Sequence, residues 1–251
     1  MEGAVLGVDR LRLYVVGIGP GEAAQLTPRA REAIADCGVL AGYGLYLELL
    51  GELAAGKELI RTGMRGEEAR CRAALEAALA GRRVAVISGG DAGVYGMAGL
   101  VLELAEPYPA LEVEVIPGVT AATAAAAVLG APLGHDFAVI SLSDLLTPWA
   151  VIEKRLELCG EADFAVCLYN PASGQRKDHL RRACEILLRH RGADTPCGIV
   201  RNAGREGQSH RVLPLGELGD TPADMLSTVI IGSSATRLCG GRMVTPRGYA
   251  L

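Results

Sequence analysis

Glycine-rich turns that carry a single acid are the first feature of this sequence that could bind a ligand. The segment SGGDAGVYG, residues 88–96, follows the apolar run 84–87 and contains Asp91 but no lysine. Two further turns follow apolar runs, GIGPG at 17–21 and PGVT at 117–120. Glycine lets the backbone approach a ligand closely, and a carboxylate accepts hydrogen bonds from ammonium and hydroxyl groups. The turns therefore predict a site for a ligand that combines positive charge with hydroxyl groups.

The familiar phosphate-binding loops are absent from the sequence. A dinucleotide fingerprint, GxGxxG, would need a third glycine where Glu22 stands, which disfavours a nicotinamide-dependent dehydrogenase. There is no Walker A, HExxH or GxSxG motif, which argues against NTPases, zinc proteases and α/β-hydrolases. S-Adenosylmethionine has a sulfonium, an α-amine, an adenine and a ribose but no phosphate. On these residues alone it is one ligand among several.

Composition narrows the class of protein. The chain has 251 residues, half of them hydrophobic, with a net charge of −4 and only 4% aromatic residues. This balance permits a sizeable core and does not favour nucleic-acid binding. No signal peptide and no apolar run long enough to span a membrane is visible, so we expect a cytoplasmic protein. The seven cysteines form no CxxC pair and predict reduced thiols without a metal site.

Buried-looking strands alternate with helical patterns along the chain, which predicts an α/β fold with a mainly parallel sheet. The alternation of strand and helix patterns begins again after a Pro/Gly-containing connector near residue 130. We therefore expect an N-terminal α/β domain over 1–130 and a C-terminal α/β domain over 131–251. One predicted helix covers 95–105, directly after the acidic turn. Three histidines in charged stretches are predicted to face solvent: His179, His190 and His210.

Longer motifs resemble those of the tetrapyrrole (corrin/porphyrin) methylases. The general family pattern is carried by VVGIGPGEAAQLTPRAREAI (15–34), VISGGDAGVYGMAGLV (86–101) and VIPGVTAATAAAAVLGAPL (115–133). The sequence also resembles the branch of the family that methylates C17 of precorrin-3B, in GHDFAVISLSDLLTPWAVIEKRL (134–156), LYNPASGQR (168–176), GIVRNAGREGQS (198–209) and STVIIGSSATR…GRMVTPRGY (227–249).

The resemblance implies a fold, a reaction and an assembly. The fold would have a mainly parallel N-terminal sheet and a mixed C-terminal sheet with flanking helices, and the active site would lie in the cleft between the domains. The reaction would be S-adenosylmethionine-dependent methylation of precorrin-3B at C17, coupled to ring contraction that gives precorrin-4 in cobalamin biosynthesis. The assembly would be a homodimer. Two alternatives stay open: methylation of cobalt-factor III in the anaerobic pathway, and a non-catalytic tetrapyrrole-binding protein.

The resemblance also implies site residues. The first turn would lie near the macrocycle through Gly17, Gly19 and Gly21. The cofactor contacts would fall on Pro20, Gly89, Gly90, Asp91, Val94, Thr120, Ala121, Asn170 and Ala203.

Residues for proton transfer and for substrate binding are less well defined by the sequence. Tyr43 follows the second strand, where porphyrinogen-methylating relatives carry an aspartate proposed as base, and His135 and Asp136 flank a later strand. The chain has only three lysines among 25 basic residues, and guanidinium groups suit the acetates and propionates of a macrocycle. We hypothesise that some of five arginines near predicted loops bind these groups: Arg29, Arg201, Arg205, Arg242 and Arg247.

Overall fold

The computed structural model describes residues 11–174 and 176–249. The chain divides into two compact units, one ending at Thr120 and the other beginning at Ala121. The boundary predicted from the sequence, residue 130, lies immediately after the first helix of the second unit. Within the described residues, no helix is long and apolar enough to cross a membrane.

The first unit is built on a five-stranded, fully parallel sheet with the order β3-β2-β4-β1-β5. Its central strands are apolar runs buried on both faces, as parallel sheets require. The strands are β1 (Leu11–Gly17), β2 (Val39–Tyr43), β3 (Glu58–Thr62), β4 (Val84–Ser88) and β5 (Leu111–Ile116).

Helices cover both faces of this sheet: α1 (Pro28–Asp36), α2 (Gly44–Leu49), α3 (Glu67–Leu79) and α4 (Ala98–Ala105). α1 begins as its sequence predicts, because the Thr27 hydroxyl accepts a hydrogen bond from the Ala30 N–H (3.2 Å) and Pro28 needs no such partner. The prediction that α4 starts at residue 95 is wrong. Tyr95 has a left-handed φ of 53°, which a helix cannot continue through, and α4 starts three residues later.

The strand order creates a crevice between β1 and β4. Helices α1 and α2 pack on one face of the sheet, whereas α3 and α4 pack on the other. The connections that leave the neighbouring strands β1 and β4 therefore run to opposite faces. Such a switch point, at the carboxyl ends of the strands, is where open α/β sheets bind ligands. The turns at 17–21 and 88–96 both lie there.

The second unit has a mixed five-stranded sheet with the order β10-β9-β11-β8-β7. β7 and β8 are parallel, whereas β11 runs antiparallel to both β8 and β9. Consequently β8 and β9 end at the same edge. The strands of this unit are β6 (Gly130–Ala131), β7 (Phe137–Ser141), β8 (Ala165–Tyr169), β9 (Pro196–Arg201), β10 (Ser209–Pro214), β11 (Ser227–Ile231), β12 (Arg237–Cys239) and β13 (Arg242–Val244).

Helices enclose the second sheet on both faces. The alanine-rich α5 packs on one face through Ala122, Ala125 and Leu129, and small residues there allow a close approach. Apolar side chains of α6 and α7 form the larger core on the other face. The helices are α5 (Ala121–Leu129), α6 (Trp149–Glu161), α7 (His179–Leu187) and the short α8 (Leu215–Leu218). Both units thus have the α/β architecture that the sequence predicts.

Candidate active site

Three turns meet at the carboxyl edge of the first sheet. The Ile18 N–H donates to the Ser88 carbonyl (3.0 Å), and Gly19 and Gly90 exchange two backbone hydrogen bonds of 3.0 and 2.7 Å. The turn after β1 is therefore joined directly to the turn after β4. The turn after β5 lies against both of them through Gly118.

Glycine is required at these contacts. A Cβ atom added to Gly17 would lie 2.7 Å from both the Gly118 nitrogen and the Gly90 oxygen, and one added to Gly118 would overlap the same oxygen. Gly19 and Gly90 have φ angles of 72° and 69°, a left-handed conformation that favours glycine. The three turns therefore pack against one another through bare backbone.

Asp91 fixes the arrangement of these turns. Its Oδ1 accepts a hydrogen bond from the Gly93 N–H (2.8 Å), and its Oδ2 accepts one from the Gly118 N–H (2.9 Å). One carboxylate therefore ties its own turn to the turn after β5. Each oxygen keeps a lone pair for a further donor.

Aromatic side chains close one side of the acidic turn. The Tyr46 ring lies against Gly89, where an added Cβ would come within 2.5 Å of it. Tyr43 and Tyr46 form an edge-to-face pair with ring centroids 5.6 Å apart. The other end of the turn is held by the buried Ser88, whose Oγ accepts a hydrogen bond from the Met97 N–H (3.3 Å). The predicted proton-transfer residue Tyr43 therefore lies at the same edge as the glycine turns.

The remaining first-unit residues of the predicted cofactor site belong to the same three turns. Pro20, next to Gly19 in the chain, is buried, whereas Val94 and Thr120 are half-buried. The structure thus brings together Gly17, Gly19, Pro20, Gly21, Gly89, Gly90, Asp91, Val94 and Thr120.

Two predicted residues of the second unit lie at one edge of its sheet. Asn170 follows β8 with a left-handed φ of 53°, and its Nδ2 donates to the Ser141 Oγ (2.9 Å). Ala203 follows β9 and is half-buried. Because one strand separates β8 from β9, these positions are about 10 Å apart across the sheet. Ala121 is the first residue of α5. The N–H of the next residue, Ala122, donates a hydrogen bond to the Tyr169 hydroxyl (2.7 Å).

His135 and Asp136 lie elsewhere in the second unit. They are exposed, the Asp136 N–H donates to the His135 ring (2.9 Å), and they precede β7. Since β7 and β8 are parallel, this pair occupies the edge opposite to Asn170, about 20 Å away along the strand.

The prediction that His179 faces solvent is wrong. Its ring is buried, contacts the Leu142 carbonyl oxygen at 3.0 Å, and lies 3.6 Å from the Asp144 carboxylate. Trp149 packs over it with ring centroids 4.4 Å apart. The charged sequence around His179 hid this burial, because the histidine faces the sheet while its charged neighbours on α7 face outward.

The five hypothesised substrate arginines differ in their partners. Arg29 is paired with Glu114 through three contacts of 2.7–2.9 Å, which raise the pKa of its guanidinium. Arg201 donates to Asp224 at 2.7 Å. Arg205 is half-buried in the loop after β9. Arg242 and Arg247 are exposed, and no side chain in the described part of the chain forms an ion pair with either.

The cysteines do not form a reactive cluster in the described structure. Burial raises the pKa of the Cys71 thiol to about 11 and of the Cys167 thiol to about 12, so neither is a thiolate at neutral pH. Over residues 11–174 and 176–249, no three His, Cys, Asp or Glu side chains are arranged to hold a metal ion.

Comparison with known proteins gives related sequences and structures. The chain is 51% identical over 240 residues to a probable cobalt-factor III C(17)-methyltransferase from Salmonella typhimurium, covering 95% of this chain and all of that protein. It is 45% identical over 247 residues to a precorrin-3B C(17)-methyltransferase from Sinorhizobium sp, covering 95% and 97%.

Solved structures show the same fold. The crystal structure of the methyltransferase CobJ matches with a TM-score of 0.87 at 38% identity, over 93% of this chain and 99% of that one. A uroporphyrin-III C-methyltransferase from Thermus thermophilus, crystallised with S-adenosylhomocysteine, matches with a TM-score of 0.70 at 25% identity, over 88% and 97%. The family model for tetrapyrrole (corrin/porphyrin) methylases matches residues 12–219. This chain belongs to the tetrapyrrole methylases.

Proposed function

We propose that this protein transfers a methyl group from S-adenosylmethionine to C17 of a precorrin-3B-type macrocycle, coupled to ring contraction in cobalamin biosynthesis. The observation that carries the proposal is the crevice formed by the turns after β1, β4 and β5. These turns offer backbone groups and the Asp91 carboxylate, and their sequences, 17–21, 88–96 and 117–120, contain no lysine or arginine. Two full-length relatives bear names with this reaction at C17.

The crevice suits the proposed cofactor chemically. When bound, S-adenosylmethionine supplies a methyl group on a positively charged sulfonium, and its ribose, adenine and amine need hydrogen-bonding partners rather than a phosphate cradle. The first unit's only lysine, Lys57, donates to the Cys37 carbonyl at 2.5 Å before β3, at the opposite edge of the sheet. A related enzyme crystallised with S-adenosylhomocysteine supports this assignment.

The protein's contribution to the reaction would be position and exclusion of water. The glycine turns and Asp91 would hold the cofactor at a fixed place, with Gly17, Gly19 and Gly21 toward the macrocycle. Asn170, Ala121 and Ala203 remain predicted cofactor contacts of the second unit. Of the three residues considered for proton transfer, we favour Tyr43, because it lies beside the acidic turn through Tyr46.

Cobalt-factor III is a second candidate substrate. The identity to the relative named for that substrate is 51%, against 45% for the relative named for precorrin-3B, and both alignments cover 95% of this chain. Both names specify methylation at C17, and only the name of the first relative specifies cobalt. The proposed site therefore serves either substrate, and the choice is made by experiment.

The alternative of a nicotinamide-dependent dehydrogenase has no support in the fold. Dinucleotide-binding sheets have the strand order 3-2-1-4-5-6, whereas this sheet has β4 between β2 and β1. Glu22 also replaces the third glycine of the fingerprint and is exposed. We expect calorimetry to detect S-adenosylmethionine and S-adenosylhomocysteine and to detect neither NAD nor ATP. Binding of a nucleotide, without binding of the adenosyl compounds, would overturn the cofactor assignment.

The reaction itself is tested by anaerobic incubation with S-adenosylmethionine and either precorrin-3B or cobalt-factor III, followed by mass analysis. The expected product has gained one methyl group, and the faster of the two conversions identifies the substrate. Binding of both macrocycles without methyl gain would instead indicate a tetrapyrrole carrier. The implied homodimer and cytoplasmic location belong to the same proposal, and light scattering tests the dimer.

A further inference from the structure

Arg176, in the loop that follows β8, is an arginine with unusually weak partners. Its Nη1 donates to the Ser143 Oγ (2.9 Å), and its Nη2 contacts the Met225 sulfur at 3.7 Å. The nearest carboxylate oxygen, on Asp144, is 3.8 Å from Nη1, beyond hydrogen-bond range. Only 15% of the side chain is exposed. A hydroxyl and a thioether therefore hold this guanidinium, and its ion pair with Asp144 includes no direct hydrogen bond.

Most of the hydrogen-bonding capacity of Arg176 is unused. A guanidinium has five N–H donors, and the Arg176 Nε is buried with no partner in the described structure. Arg29 and Arg201 differ sharply, because each donates to a carboxylate at 2.7 Å while remaining about half exposed. A charge withdrawn from water is unfavourable unless close hydrogen bonds to its counter-ion compensate for the lost solvation, and Arg176 donates none to Asp144. Such an arrangement is expected where an anionic ligand completes the pairing.

Arg176 is connected to the predicted ligand edge of the second unit. Its partner residue Ser143 donates a backbone hydrogen bond to the Ser141 Oγ (3.2 Å). The same Oγ accepts the hydrogen bond from the Asn170 Nδ2. Arg176 and Asn170 are therefore held by one serine turn at the carboxyl end of β7. A ligand that contacts Asn170 would lie close to the guanidinium.

The same loop carries further positive charge. A cavity of about 430 Å³ opens between this loop and the segment that precedes β11. Its lining includes the basic side chains of Lys177 and Arg181, with Asp220 as the acid. Lys177 and Arg181 thus add positive charge close to Arg176 in sequence, against Asp220 in the cavity and Asp144 at 3.8 Å from the guanidinium.

We propose that Arg176 binds a carboxylate of the tetrapyrrole substrate and thereby determines how the macrocycle is oriented; this inference rests on the proposed function. Acetate and propionate groups present two oxygens that match the two terminal nitrogens of a guanidinium. The contacts to Ser143 and Met225 hold the guanidinium in place before the substrate arrives. Arg176 is a substrate-binding residue additional to the five arginines considered from the sequence.

The test compares Arg176→Gln and Arg176→Lys with the parent chain. Arg176→Gln should raise the KM for the macrocycle about ten- to a hundredfold, the loss of one charge-assisted pair. Arg176→Lys should restore only part of the lost macrocycle binding, because an ammonium group cannot form the planar, bidentate pair that a guanidinium forms with a carboxylate. The KM for S-adenosylmethionine should stay unchanged. Arg211→Gln, which removes an exposed arginine paired with Glu217 at 3.4 Å, is the matched control and should behave like the parent.

Thermal melting separates binding from a structural role. Because the guanidinium donates no hydrogen bond to a carboxylate and its Nε is buried without a partner, removing it should leave the melting temperature of the ligand-free protein unchanged or higher. A fall in melting temperature together with weaker binding of both substrates would overturn the inference, as would an unchanged macrocycle KM in Arg176→Gln.

A binding assay distinguishes failure of this inference from failure of the proposed function. Fluorescence titration with uroporphyrin, which carries acetates and propionates, requires no turnover. If the parent binds uroporphyrin through Arg176 but transfers no methyl group, the proposed reaction fails and the carboxylate site stands. If the parent transfers methyl groups and Arg176→Gln does so with the same KM, only the carboxylate site fails. A parent that neither binds uroporphyrin nor transfers methyl groups contradicts both.

Discussion

Replacing Asp91 by asparagine should weaken both the stability of the first unit and cofactor binding. Both carboxylate oxygens accept backbone hydrogen bonds, from Gly93 at 2.8 Å and from Gly118 at 2.9 Å. Asparagine keeps the shape but has one acceptor oxygen, so its NH₂ group must face one of these N–H groups. The substitution leaves a backbone donor without its partner, at a cost of about 1–3 kcal/mol.

The stability loss corresponds to a fall in melting temperature of about 2–4 °C per kcal/mol for a chain of this size. The turn after β5 would also lose its tie to the acidic turn. We therefore expect affinity for S-adenosylmethionine to fall about ten- to a hundredfold, the equivalent of one charge-assisted hydrogen bond. Scanning calorimetry without ligand and titration calorimetry with the cofactor measure the two effects separately.

Asp36→Asn is the control for this experiment. Asp36 ends α1, at the opposite edge of the sheet from the turns, and pairs with Arg83 and with the Tyr14 hydroxyl. Its substitution should leave cofactor affinity unchanged. Unchanged melting of Asp91→Asn would show that Asp91 does not tie the two turns. Unchanged cofactor affinity would refute the assignment of the crevice.

Three further predictions concern other residues of the site and the charges near it. Gly118→Ala should lower stability by about 1–3 kcal/mol in chemical denaturation, because the new Cβ overlaps the Gly90 carbonyl, and a parent-like midpoint would contradict this packing. Burial raises the pKa of Asp224, but hydrogen bonds, chiefly from Arg201, outweigh it and hold the pKa below 3.8; the pairing should therefore stabilise the protein above that pH and be lost as the pH falls. Accordingly, Asp224→Asn should melt at a lower temperature than the parent at pH 7. A difference in melting temperature that persisted well below pH 3.8 would show that the Arg201–Asp224 pairing is not its cause. Arg242→Lys should raise the macrocycle KM more than it alters cofactor affinity, and identical kinetics would remove this exposed arginine from the substrate site.

The residue pattern of an element, rather than its place in the sheet, decides how well the sequence predicts it. β5 (LEVEVI) and β7 (FAVIS) lie at sheet edges, yet their branched aliphatic residues are typical of strands, and the Thr27 and Pro28 pair marks the start of α1. β10 escaped prediction because its sequence, SHRVLP, belongs to an edge strand whose first three residues are exposed, so it shows no continuous apolar run.

In the candidate site, features that depend on one segment could be predicted from the sequence, whereas contacts between distant segments could not. Glycine turns after apolar strands could be found by inspection, since each depends on its own segment. The double role of Asp91 could not, because Gly118 is 27 residues away in sequence. Arg176 lay within a quoted motif, yet its significance comes from Ser143 and Met225, which the fold alone brings to it.

The central claim is that the crevice of the first unit binds S-adenosylmethionine, whose methyl group is transferred to C17 of a tetrapyrrole. It is tested most directly by anaerobic turnover with S-adenosylmethionine labelled with ¹³C in the methyl group, followed by ¹³C NMR of the product. The predicted result is one labelled methyl group, bonded to C17 of a contracted macrocycle, with a strongly reduced yield in Asp91→Asn. A label at another carbon, or no label in a macrocycle that binds, would contradict the account.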